Sequence, residues 1–427
     1  MKSFRISTKY FVPLLLILLL AISTLALFKV YPELSKTDAS PNVNVGVAFT
    51  GNTTAEAKLL IDRVKSYTNL FVMDTAGNPL SRNQTSVEEI CDYAVTQGMK
   101  IIINMGTIFT ENTWFWRSAS LETTKQHWME RWGENFLGIY YNDEPAGIQI
   151  DTNWKEWFNK HNSSLNGIGI PTTVALHEIY GRLQEAEKSG VKPQYYDKEA
   201  EFFIQYGLKD PGLAALKEYG FRTFTSDYCL YWFDYQGGYD VMLAQLGWNI
   251  SSTQQIDLVK GAARLQDKDW GVIITWKFTE ASYLDTGDQI YSQMIDAYEA
   301  GADYIVIFNY PKLEGNDYGV MTYEHFNAHE RFWNSITETD NPPDFSGPEA
   351  ALVLPRYYGS GMRRPDDTIW GFWGPDEKSQ PIAKIMDKLL TQYGLGLDIV
   401  YDDPAYPISK VNYKSIYYWN STSGTAP

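Results

Sequence analysis

Four acidic residues stand where acid–base chemistry would need them. Asp143 and Glu144 close the apolar run FLGIYYNDEP, Asp227 closes RTFTSDY, and Glu280 lies four residues beyond Trp276 of WGVIITW. Polar and aromatic side chains crowd the same run ends: Asn142, Tyr228, Tyr231, Trp232, Asp234, Trp248, Asn249, Trp276, Asn309 and Tyr310. Aromatic faces stack on the C–H faces of sugar rings, while carboxylates hold hydroxyls or move protons. Two carboxyl groups flanking a glycosidic bond hydrolyse it, with retention at about 5–5.5 Å separation and inversion at about 6.5–9.5 Å. Glu144 needs a raised pKa to donate a proton at neutral pH, and like-charge repulsion from Asp143 supplies one cause. On a regular strand neighbouring side chains point to opposite sides, so only one of Asp143 and Glu144 is expected to face a cleft directly.

The elements that must position these residues read as strand-then-helix units. Eight short apolar runs end near Thr50, Thr75, Gly106, Pro145, Tyr228, Gly247, Trp276 and Pro311, the sixth (241–247) being the weakest. Amphipathic stretches lie between them. In the first, Ala57, Leu60, Ile61 and Val64 share one helical face, and the second opens with Ser86-x-x-Glu89, the pattern of a capping box. Continuously apolar strands are buried on both faces, as in parallel sheets. Eight such units within residues 43–340 predict a (β/α)8 barrel, an α/β fold whose strand C-terminal ends carry the site. The turn Thr50-Gly51-Asn52-Thr53 is not a dinucleotide-binding fingerprint. The fourth unit carries an extra segment, 148–212, with helices expected at 172–189 and 196–206. Residues 341–348 (NPPDFSGP) read as a linker. Residues 349–427 hold strands AALVLP, LDIVYDDP and SIYYWN and a helix at 382–393, a small α/β domain expected to pack on the barrel.

Residues 10–28, YFVPLLLILLLAISTLALF, form an apolar helix of about 28 Å, long enough to cross a hydrocarbon core. Lys2, Arg5 and Lys9 precede it, which keeps the N-terminus cytoplasmic. No small-x-small cleavage site closes the run, so residues 1–28 read as an uncleaved signal anchor and 29–42 as a tether. The rest is then expected outside the cell, which fits five Asn-x-Ser/Thr sites at Asn52, Asn83, Asn162, Asn249 and Asn420. The balance of 36 Lys+Arg against 52 Asp+Glu, net −16, argues against nucleic-acid binding. Two Cys, at 91 and 229, exclude a disulfide-built scaffold and a Cys-rich zinc module. His325 and His329 are spaced i, i+4 but lack the Glu of a zinc-protease motif, and no cofactor or metal is expected. Arg363-Arg364 reads as a solvated or salt-bridged pair, with an anionic sugar as the other occupant.

The strand-four ending Asn142-Asp143-Glu144-Pro145 resembles the Asn-Glu-Pro motif of the large clan of retaining glycoside hydrolases built on this barrel. The resemblance implies that Glu144 is the acid/base and that a carboxylate near the end of strand seven, Glu280, is the nucleophile; Asp227 is the other choice. Asp143 stands where the motif has Asn, and Glu280 lies past the strand end. The C-terminal part looks like the flavodoxin-like accessory domains of some β-galactosidase-type enzymes. The resemblance thus implies hydrolysis of a polysaccharide or glycan. The alternative is a non-catalytic barrel that binds glycans at the cell surface.

Overall fold

The computed structural model describes residues 42–75, 78–106, 121–153, 196–280, 282–338 and 347–420, with a few positions between 156 and 188. The proposed anchor at 10–28 and most of the tether, of the linker and of the helix expected at 172–189 lie outside the described residues. Among the described residues no helix is long and apolar enough to cross a membrane.

The eight expected runs are all strands: β1 Asn44–Phe49, β2 Leu70–Asp74, β3 Lys100–Asn104, β4 Phe136–Tyr140, β5 Thr223–Asp227, β6 Val241–Leu246, β7 Asp269–Ile274 and β8 Tyr304–Ile307. They pair in parallel, each with its sequence neighbour, and β8 closes on β1 through Asn44 opposite Tyr304. Alternate residues of each strand segregate into two cores. Ala48, Val72, Ile102, Tyr140, Phe224, Leu243, Ile273 and Val306 fill the barrel interior. Val47, Met73, Ile103, Ile139, Ala244, Val272 and Ile305 face the surrounding helices. This two-sided burial is why the strands are apolar throughout.

The helices are α1 Thr54–Val64, α2 Gln84–Thr96, α3 Leu121–Trp132, α4 Pro145–Asp151, α5 Asp197–Leu208, α6 Pro211–Glu218, α7 Tyr231–Gln236, α8 Ser252–Gln266, α9 Gly287–Glu299 and α10 Tyr323–Thr337. The α1 face Ala57, Leu60, Ile61 and Val64 is buried as its spacing predicts. The second helix begins earlier than expected. Its cap is Asn83, whose side chain accepts from the Ser86 N–H, so Ser86 lies inside the first turn.

After the barrel come β9 Ala350–Leu354, α11 Ser379–Tyr393, β10 Leu397–Tyr401 and β11 Ser415–Tyr418, a parallel sheet in the order β10–β9–β11. This sheet meets the barrel along a seam. A Cβ on Gly261 of α8 would meet the Ile399 carbonyl of β10 at 2.7 Å, so helix and strand touch backbone to backbone. Asp398, fully buried, accepts from Arg264 (2.6 Å) and from the Tyr413 hydroxyl (2.9 Å), with Lys260 3.7 Å away. Trp232 packs on Tyr401 and Tyr406, and Phe233 on Trp370.

Candidate active site

The site is built where β4 runs out. Asn142 (φ 56°) and Glu144 (φ 52°) both take the left-handed conformation, sparsely populated for residues with a side chain. The chain therefore leaves the pleat at once, and the strict alternation of side chains lapses. Asp143 and Glu144 both reach the same group of polar side chains, contrary to the expectation that only one would face the cleft. The Tyr140 hydroxyl donates to Asp143. Ser226 Oγ donates to Asp143 Oδ1 at 3.0 Å. Gln245 Nε2 donates to Ser226 Oγ at 3.0 Å and to Glu144 Oε1 at 2.7 Å. The three links join the two carboxyls into one network. Tyr140, Ser226 and Gln245 all come from the interior phase of β4, β5 and β6.

Among the described residues, the side chains that donate to this pair are all neutral. Burial, then the charges of Asp143 and Asp151, raise the Glu144 carboxyl to about 7, against the opposing pull of the Gln245 amide. Crowding by protein raises Asp143 as well, opposed by the Tyr140 and Ser226 hydrogen bonds. Glu144 is thus a group that carries or releases a proton near neutral pH.

Asp227 has a different task. It sits in the outer phase of β5, fully buried, and accepts from the backbone N–H groups of Ala146 (2.7 Å), Gly147 (3.0 Å) and Tyr228 (2.8 Å). Burial, with the charges of Glu144 and Asp143, pushes its carboxyl up, and the Tyr228 and Ala146 N–H groups oppose that. Glu144 occupies the N-cap position of α4 but makes no capping bond. Asp227 satisfies those N–H groups from the neighbouring strand and leaves the Glu144 carboxyl free to turn toward Gln245. Asp227 therefore fixes the loop and does not line the cleft.

The other sequence-selected residues divide in the same way. Glu280 is exposed on the β7–α9 loop, outside the Glu144 network. Tyr231 is buried, its hydroxyl bonded to the Asp227 carbonyl (3.1 Å) and to Gln255 (2.5 Å), so it is structural. Asp234, on α7, is buried. Asn309 is buried and ties down the β8–α10 loop by accepting from the Val320 and Met321 N–H groups. Tyr228 donates to Asp151 at 2.6 Å beneath the Arg363 guanidinium, 5.3 Å from its ring centroid. Arg363 grips Asp151 with two bonds of 2.8 and 2.7 Å and also bonds Asp367. Burial raises Asp151, but these partners outweigh it and leave its carboxyl lowered. Arg364 is exposed, 3.8 Å from Asp366. His329 is buried, its ring edge-on to Tyr67, and both Cys are buried and free. Among the described residues no group of His, Cys, Asp or Glu is arranged to hold a metal.

An aromatic wall continues from this network. Trp248 meets Trp276 edge-on, and Trp276 stacks on the half-exposed Tyr310 at 6.1 Å and 15°. The Trp276 indole donates to the Tyr310 carbonyl. Exposed Asn249 follows Trp248, both left-handed. Beyond Tyr310 a cavity of about 550 Å³ opens over the ends of β8, β1 and β2, lined by Thr50, Glu56, Asp74, Phe308, Asn309 and Lys312 among others. Ser226, Gln245 and Tyr140 are the site residues that sequence reasoning missed. Their signal was a polar side chain two residues after an interior apolar one, as in Phe224–Ser226 and Leu243–Gln245.

No family model matches the chain, and no curated protein matches it. Solved structures follow a similar path. GH5_18 from Streptomyces cattleya in complex with GlcNAc is 10% identical, covers 89% of this chain and 99% of its own, and has a TM-score of 0.48. GH5_18 from Bifidobacterium longum subsp. longum is 9% identical, with 90% and 98% covered and a TM-score of 0.49. The β-mannanase of the blue mussel Mytilus edulis is 10% identical, with 70% and 93% covered and a TM-score of 0.37. These are likenesses of outline and assign no residue a role.

Proposed function

We propose that this protein is a glycoside hydrolase in which Glu144 is the proton donor and Asp143 the second carboxylate. The observation that carries the reading is the pairing itself. Two adjacent carboxyls at the mouth of a closed barrel share one network of neutral donors, and Glu144 titrates near 7. Glu144 gives its proton to the glycosidic oxygen as the bond from that oxygen to the anomeric carbon breaks. Asp143, whose charged form the Tyr140 and Ser226 hydrogen bonds favour against the crowding of the protein, faces the positive charge that develops on the sugar. Water then adds to the anomeric carbon, and the proton it loses returns to a carboxylate. Trp276 and Tyr310 supply the stacking surface, with Tyr228 and Asn249 at the rim. The substrate class is a neutral glycan or polysaccharide. The basic-then-apolar N-terminus supports a membrane-anchored protein with its barrel outside the cell, and the C-terminal sheet serves the barrel as an accessory unit.

The test is release of reducing ends from a panel of polysaccharides and aryl glycosides. Glu144→Gln should lower turnover by roughly 10²–10⁴-fold. Equal activity in both forms would overturn the assignment. Glycan binding with no turnover in either would favour the non-catalytic barrel. The anomer released first, read by NMR, separates retention from inversion.

A further inference from the structure

Trp248 was expected to be a sugar platform, yet its indole N–H points inward. It donates to Gln245 Oε1 at 3.2 Å. An indole nitrogen only donates, so the Gln245 oxygen must face it. The Gln245 NH₂ group then has one orientation left, with its two hydrogens on Glu144 Oε1 and Ser226 Oγ. Ser226 Oγ, having accepted from Gln245, passes its own proton to Asp143. The Tyr140 oxygen accepts from the Ser226 N–H (3.1 Å), and its own proton has both Asp143 and Ser226 Oγ (2.8 Å) within reach. The path from Trp248 through Gln245 thus runs toward Glu144 directly and toward Asp143 by way of Ser226.

The backbone is shaped for this placement. Trp248 and Asn249 are consecutive left-handed residues, at φ 53° and 57°. Non-glycine residues hold this conformation only where the surroundings enforce it. The Trp248 N–H bonds the Trp276 carbonyl at 2.8 Å. A Cβ on the preceding Gly247 would meet that same carbonyl at 2.4 Å, so only glycine permits the approach. The turn after β6 is therefore clamped to the end of β7 with the indole aimed at Gln245.

We propose that Trp248 is a positioning residue, whose indole N–H fixes the Gln245 amide so that it donates to Glu144 and, through Ser226, to Asp143. The inference rests on the reading of these two carboxyls as the working pair. The groups facing Glu144 are Asp143 on its own turn, Asp151 from α4, Ser226 and buried Asp227 from β5, and Gln245 from β6. Gln245 is the one whose hydrogen bond favours the charged form.

The test follows Glu144 itself by ¹³Cδ-glutamate NMR titration, the resonance being assigned by its loss in Glu144→Gln. Trp248→Phe keeps a ring and removes the donor; Gln245→Leu removes the amide. Each should move the Glu144 midpoint upward by about half a unit to one unit, and the double variant should match Gln245→Leu alone. An unmoved midpoint in Trp248→Phe, or shifts that add in the double variant, would overturn the proposal. Should Trp248→Phe not fold, the ¹⁵N–¹H signal of one indole must move in Gln245→Leu, and no responding indole overturns the proposal equally. None of these readouts needs turnover, so a failure of the hydrolase reading and a failure of this one are told apart.

Discussion

Two acidic clusters in this molecule are held in opposite ways. In the seam between barrel and C-terminal sheet, Asp398 meets Arg264, Lys260 and the Tyr413 hydroxyl. At the barrel mouth, Asp143 and Glu144 meet a phenol, a serine and an amide, and, among the described residues, no cation. Cations hold a carboxylate in its charged form and make it a fastener. Neutral donors leave burial and mutual repulsion in command, so a proton can come and go near neutral pH. Even in the seam burial is felt: Asp257, beside Lys260, is raised to about 8 by it.

The largest expected effect lies in the seam. Asp398→Ala takes the carboxylate from Arg264 and the acceptor from the Tyr413 hydroxyl, while Lys260 keeps Asp257 and the Leu395 carbonyl, and should cost about 3–5 kcal/mol in urea unfolding. A loss below about 1 kcal/mol would erase the distinction, because the pairing would then be decorative. The mouth should answer with the opposite sign. The folded pKa of Glu144 lies above its unfolded value, so the folded state binds more protons between about 4.3 and 7, and stability falls as pH rises through that window. Glu144→Gln removes this penalty. It should stabilise the fold by about 1–2 kcal/mol at pH 8, allowing for the partial exposure of the side chain, and by almost nothing at pH 4. Thermal melts at the two pH values check it, and an equal gain at both would remove the protonation argument. Glu280→Gln should be the quietest, within about 0.5 kcal/mol and with turnover unchanged. A large fall in turnover would return Glu280 to the mechanism and demote Asp143.

The barrel was legible because parallel strands buried on both faces write themselves as unbroken apolar runs. All eight runs are strands, including the weak sixth. The same property hid the site. An unbroken apolar run carries no period of two, so nothing in RTFTSDY said that Ser226 points inward and Asp227 outward. The choice of Asp227 over Ser226 followed the more reactive side chain instead of the phase. The bond from Gln245 to Glu144 joins residues 101 apart, and only the closure of the barrel brings them together. The C-terminal strands and helix were legible element by element, but the seam was not. It depends on a backbone contact at Gly261 and on a charge pairing across more than 130 residues.

The grip of Arg363 on Asp151 has a consequence for how this chain could be shortened or recombined. Cut back to residue 338, the barrel would keep all eight strands and every rung of its ladder. It would lose the guanidinium that steadies the far end of α4, about two turns from Glu144. Glu144, the proposed proton donor, is thus tethered from both sides, by Asp227 at the front of its helix and by the loop that follows β9 at the back. Any exchange of the C-terminal part for another must bring a cation to the same place, or Glu144 travels without its anchor.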